Sequence, residues 1–593
     1  MKLSDYLAKR LEEYIDHIFL ISGGGCIHIV DSLSKSESIK LIPNLHEQAS
    51  SICAESYAQY KNSLGVALVT TGPGATNAIT GIASAWLDSI PVLLISGQVQ
   101  QKDMVCNRGV RQYGFQEIDT VNIYKNITKY AVTITDPKTI KYHIDKAIYL
   151  ALHGRPGPVL LDIPLDIQSS DIDENSLTGF EPELPNYDLT SIPDILDDLK
   201  KAQRPIILVG NGVRLSGAID EFYQFINKLN IPVLTTWKSL DLLSEDHPLY
   251  VGRPGGVGQR GANFNQQNSD FILVIGARLD HGQLAYRPEY FAREAKKCIV
   301  DIDINEINKL GIKVDYPLPI DAKVFLQTLN KHIDFKCPET WLNKCKELYK
   351  KYPVILPEYL DSKSETINNY AFIHYLSELL PKNSLIVPGS SGACSEVTMQ
   401  SIRIKQGTRI YNSEGLGSMG FGVPAAIGAA IASGKNVVCI DGDGGFFMNI
   451  QELELVDRYR LPIKFFVLNN NGYGSIRTTQ KNHFNNHLVV SDPSSGLTLP
   501  SIELNAKAYN IHYTRINNQN DLLKDISTIL NYDGPIICEL IVDQNHITSP
   551  KASVYKKIDG SFATRPMEDL FPFLDRTEFR ENLLIKEINY ETI

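Results

Sequence analysis

The sequence predicts an α/β protein of three doubly wound parallel-sheet domains. Three observations predict it: a length of 593 residues, short apolar runs alternating with helical patterns along most of the chain, and one acidic, Pro-containing break without periodicity. At roughly 150 residues per domain that length allows about four domains, or three larger ones. A composition of 43% hydrophobic and 21% charged residues is that of a folded soluble protein and excludes a disordered or collagen-like chain. Lys plus Arg is 58 and Asp plus Glu 68, a net charge of −10 with no basic stripe, which argues against a nucleic-acid surface. The apolar runs are strand-length, far short of a membrane span. MKLSDYLAKRLEEYIDH reads as an amphipathic charged helix and not a signal peptide. Nine cysteines without CxxC spacing read as reduced, buried thiols of a cytoplasmic protein.

In the first block, residues 1–170, the expected strands are HIFLIS, GVALVT, PVLLIS and GPVLLDIP, each closed by small or turn residues. Residues 168–200 are acidic and aperiodic and read as a linker. The second block, 190–335, has PIILVGNG, IPVLTT, DFILVIGARLD and KCIVDIDI, and ends near a mixed-charge helix between Pro338 and Lys351. The third, 355–550, has SLIVPGSSG, TRIYNSEG, NVVCIDGDGG and PIKFFVLNNNG. The charged, irregular tail 551–593 is expected to wrap or lid the surface.

The segment GLGSMG, residues 415–420, matches a dinucleotide GxGxxG, with Asp441 closing the next strand. A different reading fits better. The strand NVVCI runs into Asp441-Gly442-Asp443-Gly444-Gly445, and the next strand, PIKFFVL, into Asn469-Asn470-Asn471-Gly472. Each is a turn dipeptide by itself. Together, directly after two apolar strands, they set an Asp and an Asn side by side, with glycines that let backbone N–H groups approach a phosphate. Carboxylate, amide and carbonyl oxygens suit Mg²⁺ or Ca²⁺, and a metal-bridged diphosphate is the natural occupant. Upstream, Glu47 in LHEQA opens a small-residue helix, where a lone Glu is ordinarily a dipole-favoured surface charge. TGPGATN, residues 71–77, is a second ligand-type turn at a strand end.

Together these motifs resemble the thiamine diphosphate (ThDP)-dependent enzymes of the acetolactate synthase and pyruvate oxidase type, over nearly the whole chain. The resemblance implies a pyrimidine-binding domain first, a central domain, and a diphosphate-binding domain third. It also implies a homodimer or a dimer of dimers, with ThDP between the first domain of one subunit and the third of its partner. Glu47 matches the activating glutamate, which would donate to the pyrimidine N1′. Asp443, Asn470 and the Gly472 carbonyl match the Mg²⁺ ligands. Met419 matches the wedge that bends the cofactor, and Gly417 the carbonyl that holds its 4′-amino group. Gly389, Ser390, Ser391, Gly442, Gly444, Gly445 and Ile476 fall at other cofactor contacts of that domain. Acetolactate synthases usually carry Gln and His where Ser390 and Ser391 stand. Pro73 and Asn77 match contacts from the first domain, and Gly25, Phe115 and Gln116 match its catalytic positions.

In the central domain Arg155, Gly210, Gly212, Gly255, Gly276, Arg278, Asp280, Asp301 and Asp321 match positions that bind FAD in acetolactate synthases. The expected flavin role is structural and not redox. The acceptor side departs from the family. The arginine that anchors the second substrate corresponds to Gly282, the specificity tryptophan to Thr479, and a nearby methionine to Ser475. A carboxylate acceptor needs a cation in a buried site, and Arg108, Arg111 or Arg477 could supply one. The expected reaction is decarboxylation of a small 2-oxo acid such as pyruvate. Its fragment would join a larger or uncharged carbonyl compound, of which a keto sugar is one kind. The alternatives are a true acetolactate synthase large subunit and a C–C lyase or hydrolase.

Overall fold

The computed structural model describes all residues but 107, 362, 391, 558–559 and 589–593, so Ser391 lies outside the described residues. Three parallel sheets follow one another along the chain. The first has the order β2-β1-β3-β4-β6-β5, with β1 His17–Leu20, β2 Lys40–Pro43, β3 Gly65–Val69, β4 Val92–Gln98, β5 Tyr130–Thr133 and β6 Val159–Pro164. β3, β4 and β6 are buried at every residue, as unbroken apolar runs covered by helices on both faces require.

The second sheet is β11-β10-β9-β7-β8, from β7 Pro205–Val209, β8 Val233–Thr235, β9 Phe271–Ile275, β10 Lys296–Asp301 and β11 Tyr316–Pro319. The third is β13-β12-β14-β15-β17-β16, from β12 Leu385–Pro388, β13 Arg409–Ile410, β14 Val437–Gly442, β15 Ile463–Asn469, β16 His512–Ile516 and β17 Ile536–Ile541.

One apolar cluster runs through the first and third sheets together, while the second sheet has its own. The shared core is closed by helices Glu47–Lys61 and Gly422–Ser433, whose small residues let their backbones come close. Ser56 Oγ donates to the Ala425 carbonyl at 2.6 Å and Cys53 Sγ to that of Pro424 at 3.1 Å.

Two stretches differ from the sequence reading. The last nine residues of the expected linker fall in helix Ile192–Lys201, because Ile192, Ile195 and Leu199 recur at helical spacing and are buried. The tail carries a hairpin, β18 Val554–Lys556 with β19 Phe562–Thr564, and helix Arg576–Glu581. It docks on helix Arg260–Gln267 mainly through polar groups, so hydrophobic period gave no sign of it. Asn263 Nδ2 donates to the Met567 carbonyl at 2.6 Å, Gln267 Nε2 to Glu568 at 2.9 Å, and Asn268 Nδ2 to the Asn582 carbonyl at 2.8 Å.

Candidate active site

β14 and β15 pair in parallel with Gly442 opposite Leu468, so Asp443 and Asn470 leave the same edge of the third sheet one and two residues later. Asp443 is held by the backbone: Gly444 N donates to Oδ1 at 2.9 Å and Gly472 N to Oδ2 at 3.0 Å. Burial pushes its carboxyl up to about 6. Asn470 Oδ1 is buried with no hydrogen-bond partner. Gly472 turns at φ +133, and a side chain there would meet the Ser491 carbonyl. Behind them Asp441 is wholly buried and pushed up to about 7 by burial. Gly389, Gly422 and Gly445 crowd it so closely that none has room for a Cβ.

In front of Asp441 lies one cavity of about 440 Å³. Met419, Gly442, Asp443, Gly444, Gly445, Asn470, Gly472 and Ile476 all lie in its wall. Among the described residues no three His, Cys, Asp or Glu side chains come together as a metal cluster. One carboxylate, one unsatisfied amide oxygen and a backbone carbonyl are instead the hard oxygen set that Mg²⁺ takes when phosphate supplies the rest. The residues therefore fit Mg²⁺ and a diphosphate. Ser390 Oγ and Ser418 Oγ are also buried without partners, and Gly417 stands at φ +62.

Sequence reasoning missed the far wall, made by Glu396, His546, Thr548 and Lys551. Thr548 Oγ1 donates to Glu396 at 2.7 Å, and burial pulls the His546 ring down to about 4. No motif marks them, because residues 546–551 reach the cavity only as the chain crosses back after β17.

The predicted first-domain residues gather elsewhere. His46 caps helix Glu47–Lys61, its ring Nδ1 accepting from Gln48 N at 3.1 Å. That leaves Glu47 buried in the first turn, with Asn77 Nδ2 donating to its Oε2 at 2.9 Å. Gly25 packs on Thr71, while Gln116, at φ +63, lays its carbonyl against Gly72, just before Pro73. Phe115 is 87% exposed. None of these residues lines the 440 Å³ cavity of the same chain.

A second cavity opens at the edge of the central sheet, lined by Arg155, Gly212, Gly276, Arg278, Asp280, Asp301 and Asp321. Gly276, at φ +60, faces Gly212 Cα so closely that a Cβ would lie 2.7 Å away, a cradle open to a phosphate or a ring. Asp321 caps helix Ala322–His332, and Arg155 pairs with Glu306 at 2.6 Å. Gly210 backs Gly276, whereas Gly255 is tied to Asn263 and lies outside that cavity. Of the candidate acceptor cations, Arg477 is buried, donating to the Asn470 carbonyl at 2.9 Å and the Gln544 carbonyl at 3.1 Å, so it braces the turn after β15. Arg108 is spent on the carbonyls of Met104 and Lys102, and Arg111 is exposed.

Three family models match this architecture sheet by sheet. They are the thiamine pyrophosphate enzyme N-terminal TPP binding domain at residues 1–123, the central domain at 192–329, and the C-terminal TPP binding domain at 390–540. The chain belongs to the thiamine pyrophosphate enzymes. Within them it is similar to the acetolactate synthase large subunit of Lactococcus lactis, 33% identical over 92% of this chain and 93% of that one. It is likewise similar to acetolactate synthase 1 of Zea mays, which is chloroplastic, 33% identical over 95% and 90%. The probable acetolactate synthase large subunit of Methanocaldococcus jannaschii is 32% identical over 92% of each. It is thus a ThDP-dependent enzyme of the acetolactate synthase-like, carboligating kind.

Proposed function

We propose that the chain decarboxylates a small 2-oxo acid such as pyruvate and joins the remaining fragment to a second carbonyl compound. The observation that carries this is the convergence of Asp443, Asn470, Gly472, Met419 and Ile476 on one cavity. Asp443, Asn470 Oδ1 and the Gly472 carbonyl would hold Mg²⁺, and the Gly445 N–H would face the diphosphate. Bound ThDP supplies the electron sink for decarboxylation. The protein's own part is to orient and to hold protons. Glu47, fixed by Asn77, would hold its side chain ready to hydrogen-bond a pyrimidine brought to it across a subunit interface. Met419 offers an apolar surface under the bend, and the buried wall around Asp441 keeps water from the charged end. A homodimer is the smallest assembly that brings Glu47 to the cavity, and exposed Phe115 would be covered there. We infer FAD as a structural ligand of the central cavity, supported by the facing glycines and by Arg155, Arg278 and Asp301 on its wall.

Two acceptors are in view. A larger or uncharged carbonyl compound, such as a keto sugar, is favoured by Gly282, which presents only a carbonyl, bonded by Gly256 N at 2.8 Å. A second 2-oxo acid, giving acetolactate, is favoured by Lys551, the sole Lys or Arg on the cavity wall among the described residues. The relatives' names also favour it. Incubation with pyruvate alone separates them: abundant acetolactate selects the second, and product appearing only with an aldehyde, ketone or keto sugar selects the first. An absorption band of bound flavin tests the central ligand. No helix among the described residues is long and apolar enough to cross a membrane.

A further inference from the structure

We propose that Asp88 and Lys238 are positioning residues that set the loop 415–420, and that a dinucleotide in the central cavity tightens ThDP binding through them. This rests on the reading above, in which that loop brings Gly417 and Met419 to the cofactor.

Asp88 ends helix Ile79–Asp88 of the first domain, and its side chain is 4% exposed. It accepts from both of the other domains at once. Lys238 Nζ, from the central domain, donates at 2.9 Å. Glu414 N and Gly415 N, from the third, donate at 3.0 and 2.9 Å. Lys238 also donates to the Asn412 carbonyl, and Arg278 Nη1 grips the Leu87 carbonyl at 2.9 Å. At 415 a Cβ would stand 2.6 Å from Leu87 Cβ and 2.9 Å from Asp88 Oδ1, so only glycine lets the loop root sit this close. A buried carboxylate with an ammonium and two backbone N–H donors is a strong arrangement, and removing one partner strands the rest. The loop therefore starts from a fixed point on Asp88.

The same clamp faces the other cavity. Asp88, Lys238, Arg278 and Glu414 all line the central cavity, beside Asp280 and Asp301. Burial, with the charges of Asp280 and Asp88, pushes Glu414 up to about 8, so at neutral pH it does not compete for the two cations. A phosphate-bearing ligand that engages Arg278 and Lys238 would fix the rotamers that hold Leu87, Asp88 and Asn412. The loop would then be ordered before ThDP arrives, and the two ligands must help each other equally.

The test is ThDP titration of the full chain with Mg²⁺, read by quenching of intrinsic fluorescence, with and without FAD. In the unaltered chain FAD should lower the Kd for ThDP by about fivefold or more. Lys238→Met should bring that ratio close to one while both ligands still bind, and Lys238→Arg should keep most of it. Asp88→Asn should weaken ThDP binding by about tenfold. A ratio of one in the unaltered chain, or an undiminished ratio in Lys238→Met, overturns the proposal. A chain that binds no ThDP overturns the functional reading and the clamp with it.

Discussion

Glu47 and Asn470 each hold one oxygen whose value depends on what arrives beside it. Glu47 Oε2 already takes a hydrogen bond from Asn77, which fixes the carboxyl without satisfying its other oxygen. Replacing it with Gln keeps shape and hydrogen bonding but removes the acid. Activity with pyruvate should fall about 10²–10⁴-fold while ThDP binding is kept; equal turnover by Glu47→Gln would remove it from the chemistry. Asn470 Oδ1 is buried and unsatisfied, a cost that folding tolerates only if something binds there. Asn470→Ala removes that oxygen and should raise the Mg²⁺ needed for half-maximal ThDP binding by about tenfold or more. A titration that does not move would mean the ion is held elsewhere.

Among the elements, helix Glu47–Lys61 carries both a site residue and a buried acid with no role in the chemistry. Glu55 lies wholly inside, accepting from Ser84 Oγ at 3.0 Å, and is pushed up to about 8, first by burial and then by the charge of Asp88. Its folded pKa stands above the unfolded value of about 4.3. Its stabilising contribution is therefore complete below about pH 4.3 and is lost as pH rises towards about 8. Glu55→Gln should match the unaltered chain in acid and exceed it near pH 8.5 by on the order of 2–5 kcal/mol, read from urea unfolding at several pH values. A pH-independent difference would refute the assignment. Strands such as β3, β4 and β6 were legible because a parallel sheet buried on both faces must be written as an apolar run. The turns after β14 and β15 were legible because few residue types make them. The partners of Asp88 were not, since Glu414 and Lys238 lie more than 100 residues away and no local pattern records such a pairing. The place of Arg477 was illegible for the same reason: in sequence it stood as one of three arginines that could supply a cation, and in the fold it donates to two carbonyls.

For the whole molecule, the decisive observation is that the two halves of the proposed site lie apart within one chain. Glu47, Asn77 and Gln116 sit at the first sheet, while Asp443, Asn470 and Met419 line a cavity none of them reaches. The shared core of first and third sheets, closed by helices Glu47–Lys61 and Gly422–Ser433, packs these halves together with their two sets of residues apart. A twofold axis can join them, because it carries each half to its missing partner and makes two equal sites. Such sites admit a complementation test. Glu47→Gln and Asp443→Ala should each be inactive as homodimers. Unfolded together or co-expressed in equal amounts, they should form mixed dimers in about half of cases, each holding one doubly altered site and one intact site. Activity should therefore return to about a quarter of that of the unaltered protein. Sites completed within single chains would give no recovery at any mixing ratio, because every chain in the mixture would carry one of the two lesions.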